Sequence, residues 1–159
     1  MASIYSIVYQ PIDLSYSDHQ TEFIRIPVEN ARLRAQHGIE GDQKAGHHPE
    51  RQLNLLSLEW LRSIEPAGYK IHPGQFGEQL ILTGLAVETL EPGARMRLGD
   101  EVEIEITRLR TGCIRLEAAQ EKSIQGIGPI GALAKVVTGG SIRVHDLVLV
   151  LERVSTPEA

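Results

Sequence analysis

The sequence predicts a mainly β fold, a closed or partly open β-barrel with a few short helices, formed as a single domain over residues 1–159. Two observations carry that expectation. Fifteen glycines and eight prolines are spread along the chain, and the apolar segments between them are mostly short, which is the punctuation of a many-stranded protein. In Glu101-Val102-Glu103-Ile104-Glu105-Ile106, acids and β-branched residues alternate strictly, so three glutamates share one face of a strand and Val102, Ile104 and Ile106 share the other. Closure into a small barrel is expected because it removes exposed strand edges.

Taken in order, strands are expected at Ser3–Tyr9 and at residues 22–28, 52–56, 78–83, 101–106, 135–138 and 141–151. Turn formers such as Pro92-Gly93, Gly99-Asp100 and Gly139-Gly140 bound them. Ser57 is placed to N-cap a helix over Leu58–Ile64, which must end before Pro66. A second helix is expected over residues 114–122, rich in good helix formers. There is no internal repeat or linker, and residues 155–159 read as a frayed tail.

The formal charge of −5 and pI near 5.7 argue against a general nucleic-acid binder, which needs a basic excess to neutralise phosphates, so any anion site must be local. The N-terminal residues lack a basic leader, and no run of eighteen apolar residues occurs. The expectation is a soluble cytoplasmic protein that makes no membrane contact and keeps a reduced thiol.

That thiol belongs to Cys113, the only cysteine. A lone thiol forms neither an internal disulfide nor a multi-cysteine metal site. Its remaining roles are burial as a small hydrophobe, nucleophilic or sulfur-carrying chemistry, or ligation of a soft metal as a single thiolate. A free thiol is only roughly 3% ionised at pH 7, and Arg108, Arg110 and Arg115 stand close in sequence to favour the thiolate. If the alternation of residues 101–106 continues, Arg108 and Arg110 inherit the inward parity of Ile104 and Ile106. Guanidinium groups do not sit unpaired in a core, so they would line the barrel mouth and pair with an anion, or else decorate a solvated rim.

Three further segments carry polar groups. Gly38-Ile39-Glu40-Gly41-Asp42-Gln43-Lys44-Ala45-Gly46-His47-His48 is a polar loop, and its Asp42, His47 and His48 match no zinc-binding spacing. Gly126-Ile127-Gly128-Pro129-Ile130-Gly131 fits the bare pattern of a dinucleotide-binding loop, but no strand precedes it and no adequate helix follows. His72-Pro73-Gly74-Gln75-Phe76-Gly77-Glu78-Gln79-Leu80 is a tight turn entering a strand, with Glu78 and Gln79 at its end as rim residues or as hydrogen-bonding groups for a heterocycle.

In order and spacing, several of these pieces resemble the MOSC domain, the module named after the C-terminal domain of molybdenum cofactor sulfurase. The matching residues are Gly38-Ile39-Glu40-Gly41-Asp42, Arg51-Gln52 before an apolar strand, Pro73-Gly74-Gln75-Phe76-Gly77-Glu78 and Thr83-Gly84-Leu85. They continue through Leu90-Glu91-Pro92-Gly93-Ala94-Arg95 and Leu98-Gly99-Asp100, the strand ending at Arg110 before Cys113, and Gly131 to Asp146, covering about residues 4–149.

The resemblance implies a β-barrel-like fold and Cys113 as molybdenum ligand or persulfide carrier for a bound molybdenum cofactor, a molybdopterin. It further implies Arg51, Arg108 and Arg110 on the cofactor's phosphate, and Gln52, Glu78 and Gln79 on its pterin. Some members of this family support reduction of N-hydroxylated compounds with flavin and iron–sulfur electron donors. Others receive sulfur from a pyridoxal-phosphate-dependent sulfurase domain, which this chain does not contain, so a stand-alone version with a separate partner is expected. The chain departs from the family pattern at Gly112 in place of Pro, Gln79 in place of Asn, and His145-Asp146 in place of a late Gly-Asp turn. The expected function is a molybdenum-cofactor-binding or sulfur-carrying domain, within a molybdenum-dependent oxidoreductase or sulfur transferase system. A non-catalytic β-barrel adaptor that has lost the cofactor, and a thiol redox sensor, are the alternatives.

Overall fold

The computed structural model of the protein describes residues 1–12, 25–112 and 114–151, without the side chains of Ile114 and Arg115. Cys113 and the tail at 155–159 lie outside the described residues. Eleven strands are described: β1 (Ser3–Tyr9), β2 (Ile26–Val28), β3 (Asn30–Arg34), β4 (Gly38–Ile39), β5 (Leu53–Ser57), β6 (Leu80–Thr83), β7 (Arg95–Leu98), β8 (Val102–Leu109), β9 (Ala132–Thr138), β10 (Gly140–Arg143) and β11 (Val148–Val150). Two α-helices accompany them, α1 (Leu58–Ile64) and α2 (Ile114–Gln120).

Eight strands form one strongly curled sheet in the order β11-β7-β8-β9-β5-β6-β1-β2. The curl brings β1 back to the segment just before β11. Ile4 N–H donates to the Asp146 carbonyl at 2.9 Å, His145 N–H donates to the Ile4 carbonyl at 2.8 Å, and Val148 N–H donates to the Ala2 carbonyl at 2.9 Å. The expected barrel is therefore partly closed, by backbone bonds from a turn as well as by ladder pairing. A small sheet, β10-β3-β4, covers an open side and adds Leu33, Ile39 and Ile142 to the barrel core.

Alternation along the strands builds two apolar layers. Val102, Ile104 and Ile106 are fully buried in the barrel interior with Leu53, Leu55, Leu80 and Leu82. Glu103 and Glu105 are half-buried on the other face, where Arg97, Arg95 and Lys135 pair with them. On the outer face of the parallel β5–β6 pair, Leu56 and Ile81 pack with Leu58 and Leu61 of α1, Leu116 of α2, Phe76 and Ile130. Ser57 caps α1 as expected, accepting from the Trp60 N–H at 3.4 Å. Among the described residues, no helix is long and apolar enough to cross a membrane.

Several boundaries differ from expectation for local reasons. The segment 141–151 is two strands, β10 and β11, because His145 adopts φ 77° and turns the chain between them. The strand expected at 22–28 is described from Ile26, its earlier residues lying outside the described set apart from Arg25. β3, β4 and β7 were not anticipated; Asn30-Ala31-Arg32-Leu33-Arg34 and Arg95-Met96-Arg97-Leu98 carry too few apolar residues to stand out.

The inward parity expected of Arg108 and Arg110 is corrected by a β-bulge. Ile106 pairs with Ala134 and Arg108 with Leu133, so two steps on β8 oppose one on β9. Leu109 then packs against the core, while Arg108 is exposed and Arg110 is buried just beyond the end of β8.

Candidate functional site

The outer face of β5 ends in a polar position. Leu53 and Leu55 point into the barrel, so Asn54 shares the parity of Leu56 and reaches the outside just beyond the helix-covered layer. An open pocket of about 410 Å³ forms there. Its walls come from Arg25 ahead of β2, Lys44, His47 and His48 after β4, Arg51 ahead of β5, Asn54, Gly77 and Gln79 ahead of β6, Arg110 after β8, and Leu133 on β9. Among the described residues, four cationic side chains line it and no carboxylate does. In a chain of net charge −5 such a gathering of cations makes the pocket the candidate site for an anion.

Backbone contacts hold Arg110 in place. Its N–H donates to the Gly131 carbonyl at 3.1 Å, and its carbonyl accepts from Ile130 N–H at 2.8 Å. Gly131 permits this approach: it adopts φ +69°, and a Cβ there would stand 1.9 Å from the Leu55 carbonyl oxygen. Arg110 is 6% exposed.

Beneath it lies Glu78, also buried. Its carboxylate accepts from Gly74 N–H at 2.7 and 3.0 Å and from Phe76 N–H at 3.2 Å, which folds the 73–77 turn around it. Burial pushes the carboxyl up to about 7, even though these amides and the nearby Arg110 guanidinium favour the charged form. The same turn supplies the Gly77 carbonyl, which accepts from Arg25 Nη2 and Asn54 Nδ2, each at 3.4 Å. Gly74 adopts φ +91° and leaves room for the Arg25 stem, since a Cβ there would stand 2.6 Å from the Arg25 Cβ.

Sequence-predicted site residues divide into three groups. Arg51, Gln79 and Arg110 line the pocket together, and Arg108 lines a smaller one next to it. Gln52 and Glu78 are buried and line neither. Gln52 is a clamp between loop and strand, its Oε1 accepting from Val136 N–H at 2.9 Å and its Nε2 donating to the Pro49 carbonyl at 3.0 Å. Cys113 lies outside the described residues. Asp42 is held as an ordering group, accepting from Gln10 N–H at 3.1 Å and from Gln79 Nε2 at 3.2 Å.

Sequence reasoning missed Arg25, Lys44 and Asn54. Two signals were present: one amide in Leu53-Asn54-Leu55-Leu56, and one cation in Phe23-Ile24-Arg25-Ile26. A polar residue inside an apolar run either breaks a strand or faces a site.

The pocket's chemistry fits a phosphate-bearing pterin. The cations suit a phosphate, and the Asn54 side-chain Oδ1 is buried without a hydrogen-bond partner among the described residues, an acceptor suited to a heterocyclic N–H.

A family model described as MOSC domain matches residues 42–149. The chain belongs to the MOSC domain family. Its fold is also similar to that of solved structures. YiiM from Escherichia coli is 24% identical with a TM-score of 0.68, the match covering 98% of this chain and 72% of that one. YiiM from Geobacillus stearothermophilus is 19% identical with a TM-score of 0.71, covering 96% and 76%. The YuaD protein from Bacillus subtilis is 15% identical with a TM-score of 0.69, covering 94% and 96%. A comparison with curated proteins found no match. The MOSC assignment thus agrees with the curled sheet and helix-covered flank.

Proposed function

We propose that this MOSC domain binds the molybdenum cofactor in the larger pocket and that Cys113 serves it as molybdenum ligand or persulfide carrier. The observation that carries this reading is the lining of the pocket: Arg25, Lys44, Arg51 and Arg110 gather at one opening, beside an Asn54 Oδ1 that is buried without a hydrogen-bond partner among the described residues. Its volume of about 410 Å³ falls in the range of small-molecule sites, roughly 300–1,000 Å³.

Each residue has a role that follows from its chemistry. Arg51 and Arg110 offer planar forks to phosphate oxygens, Lys44 adds a point charge, and Arg25 closes the side formed by Gly77. Asn54 Oδ1 would accept an N–H from the pterin edge. Glu78 shapes the turn carrying Gly77 and balances part of the Arg110 charge. When bound, the cofactor supplies molybdenum redox chemistry and an affinity for a soft thiolate. Cys113 follows Arg110 by three positions, and the arginines near it in sequence are of the charge that favours a thiolate. A persulfide role calls for a pyridoxal-phosphate-dependent sulfurase partner, and a metal-ligand role for a flavin or iron–sulfur electron donor.

One observation favours the non-catalytic adaptor as a second reading. The Gln79 amide, standing where the family has Asn, is bonded at both ends within the protein. Metal and pterin analysis separates the two. Protein purified from a host that makes the cofactor should contain molybdenum and release the fluorescent oxidation product of the pterin, and Arg110→Ala should lower the pterin content at least tenfold. Cys113→Ser should remain folded and lose persulfide loading or the molybdenum–thiolate signature. Wild-type protein with neither metal nor pterin rejects the cofactor reading and leaves the adaptor.

A further inference from the structure

A second, smaller cavity of about 180 Å³ adjoins the larger pocket, lined by Arg51, Arg108, Leu109, Arg110, Thr111 and Leu133. The two share only Arg51, Arg110 and Leu133. Among the described residues, three guanidinium side chains and one hydroxyl-bearing residue face a space well below the volume that holds a drug-sized molecule, and no carboxylate lines it. Such a space admits a group of a few heavy atoms with negative charge. Among the described residues, no carboxylate is in ion-pair reach of Arg51 or Arg108.

The fold builds this cluster through long-range contacts. The bulge turns Arg108 away from the core. Thr107, inside the bulge, donates its hydroxyl proton to the Glu50 carbonyl oxygen, with Oγ1 2.5 Å from that atom and 3.1 Å from the Leu133 carbonyl. That bond ties the residue before Arg51 to β8, so Arg51 and Arg108 line one cavity. Gathering like charges in this way costs energy unless an anion offsets it.

We propose that the small cavity is a separate anion subsite, which takes the anionic group of an organic substrate, such as a phosphate monoester, while the molecule's apolar body lies along Leu133 and Leu109. The proposal rests on the cofactor occupying the larger pocket, and it moves Arg108 from the cofactor's phosphate to the substrate. It also places the substrate's charged end beside Thr111, two residues ahead of Cys113 in sequence.

The test uses inorganic phosphate and phenyl phosphate as probes, titrated by calorimetry into protein made with and without the cofactor. The expected result is a phosphate site present in both preparations that weakens at least tenfold in Arg108→Ala, with molybdenum and pterin content unchanged in that variant. Phenyl phosphate should displace inorganic phosphate from it. Arg25→Ala should lower pterin content and leave this site intact. The proposal is overturned if Arg108→Ala binds phosphate like the wild type, if it loses cofactor as severely as Arg110→Ala, or if phenyl phosphate fails to displace the ion. Should the wild type contain no cofactor, the functional reading above fails on its own, and Arg108-dependent binding in cofactor-free protein still decides the subsite.

Discussion

Asn54 on β5 and Gln79, just ahead of β6, are joined by two hydrogen bonds. The Asn54 N–H donates to the Gln79 side-chain Oε1 at 2.7 Å, and the Gln79 N–H donates to the Asn54 carbonyl at 3.0 Å. Gln79 Nε2 then reaches Asp42, which accepts from Gln10 N–H. One amide thus links β1, β5, β6 and the loop after β4 at the floor of the pocket. Gln79→Ala leaves the Asn54 amide and an Asp42 oxygen without this partner. Loss of about 1–3 kcal/mol is expected, read from the urea midpoint at constant m; an unchanged midpoint would mean that water replaces the amide at no cost.

Glu78 should make stability pH-dependent in a definite direction. Its carboxyl lies at about 7 in the folded chain against 4.5 when unperturbed. Between those values the unfolded state releases the proton while the folded state keeps it, so stability falls as pH rises through this window. The contribution is fully present below about 4.5 and lost by about 7, amounting to about 3 kcal/mol at 1.36 kcal/mol for each pH unit. Denaturation of wild type and Glu78→Gln at several pH values checks it. The difference between them should shift across the window, and parallel profiles would reject the raised carboxyl.

Gly112 and Ile124 are predicted to be energetically coupled. A Cβ at Gly112 would stand 1.8 Å from Ile124 Cδ1 and 3.1 Å from Ile130 Cδ1. Gly112→Pro, which restores the family residue, should therefore destabilise by about 1–3 kcal/mol through overpacking. Combined with Ile124→Ala, the cost should be less than the sum of the two single changes, with a coupling of about 0.5–3 kcal/mol. Additive costs in a double-mutant cycle would show that the backbone moves instead.

Ile104 is fully buried in the barrel interior, at the centre of the alternating strand. Ile104→Ala should cost about 2–5 kcal/mol in chemical denaturation. A loss below 1 kcal/mol would indicate that the interior collapses around the deletion.

Much of the architecture was legible in local sequence. β1 and α1 have the expected bounds, Ser57 caps as its chemistry demands, and Val102, Ile104 and Ile106 face the core, because strand alternation and capping act over a few residues. The charge-rich strands β3 and β7 were not legible, since their place depends on the barrel wall they complete.

The candidate site shows the same division. Arg51, Arg110 and Gln79 could be named from the order of motifs, and the chain by itself determined a mainly β fold, a lone thiol after an arginine-rich strand end, and the family to which that order belongs. Only the tertiary structure decided where the charges go. The bulge at Thr107 reversed the parity of Arg108, and the Thr107 hydroxyl there bonds the Glu50 carbonyl 57 residues away, a partner that no local pattern reveals. Arg25, Lys44 and Asn54 come from three separated segments and meet only when the sheet curls. Gln52 and Gln79 look alike as polar residues at strand entrances, yet one clamps a loop while the other reaches the pocket floor, because hydrogen-bond partners are assigned by packing in three dimensions.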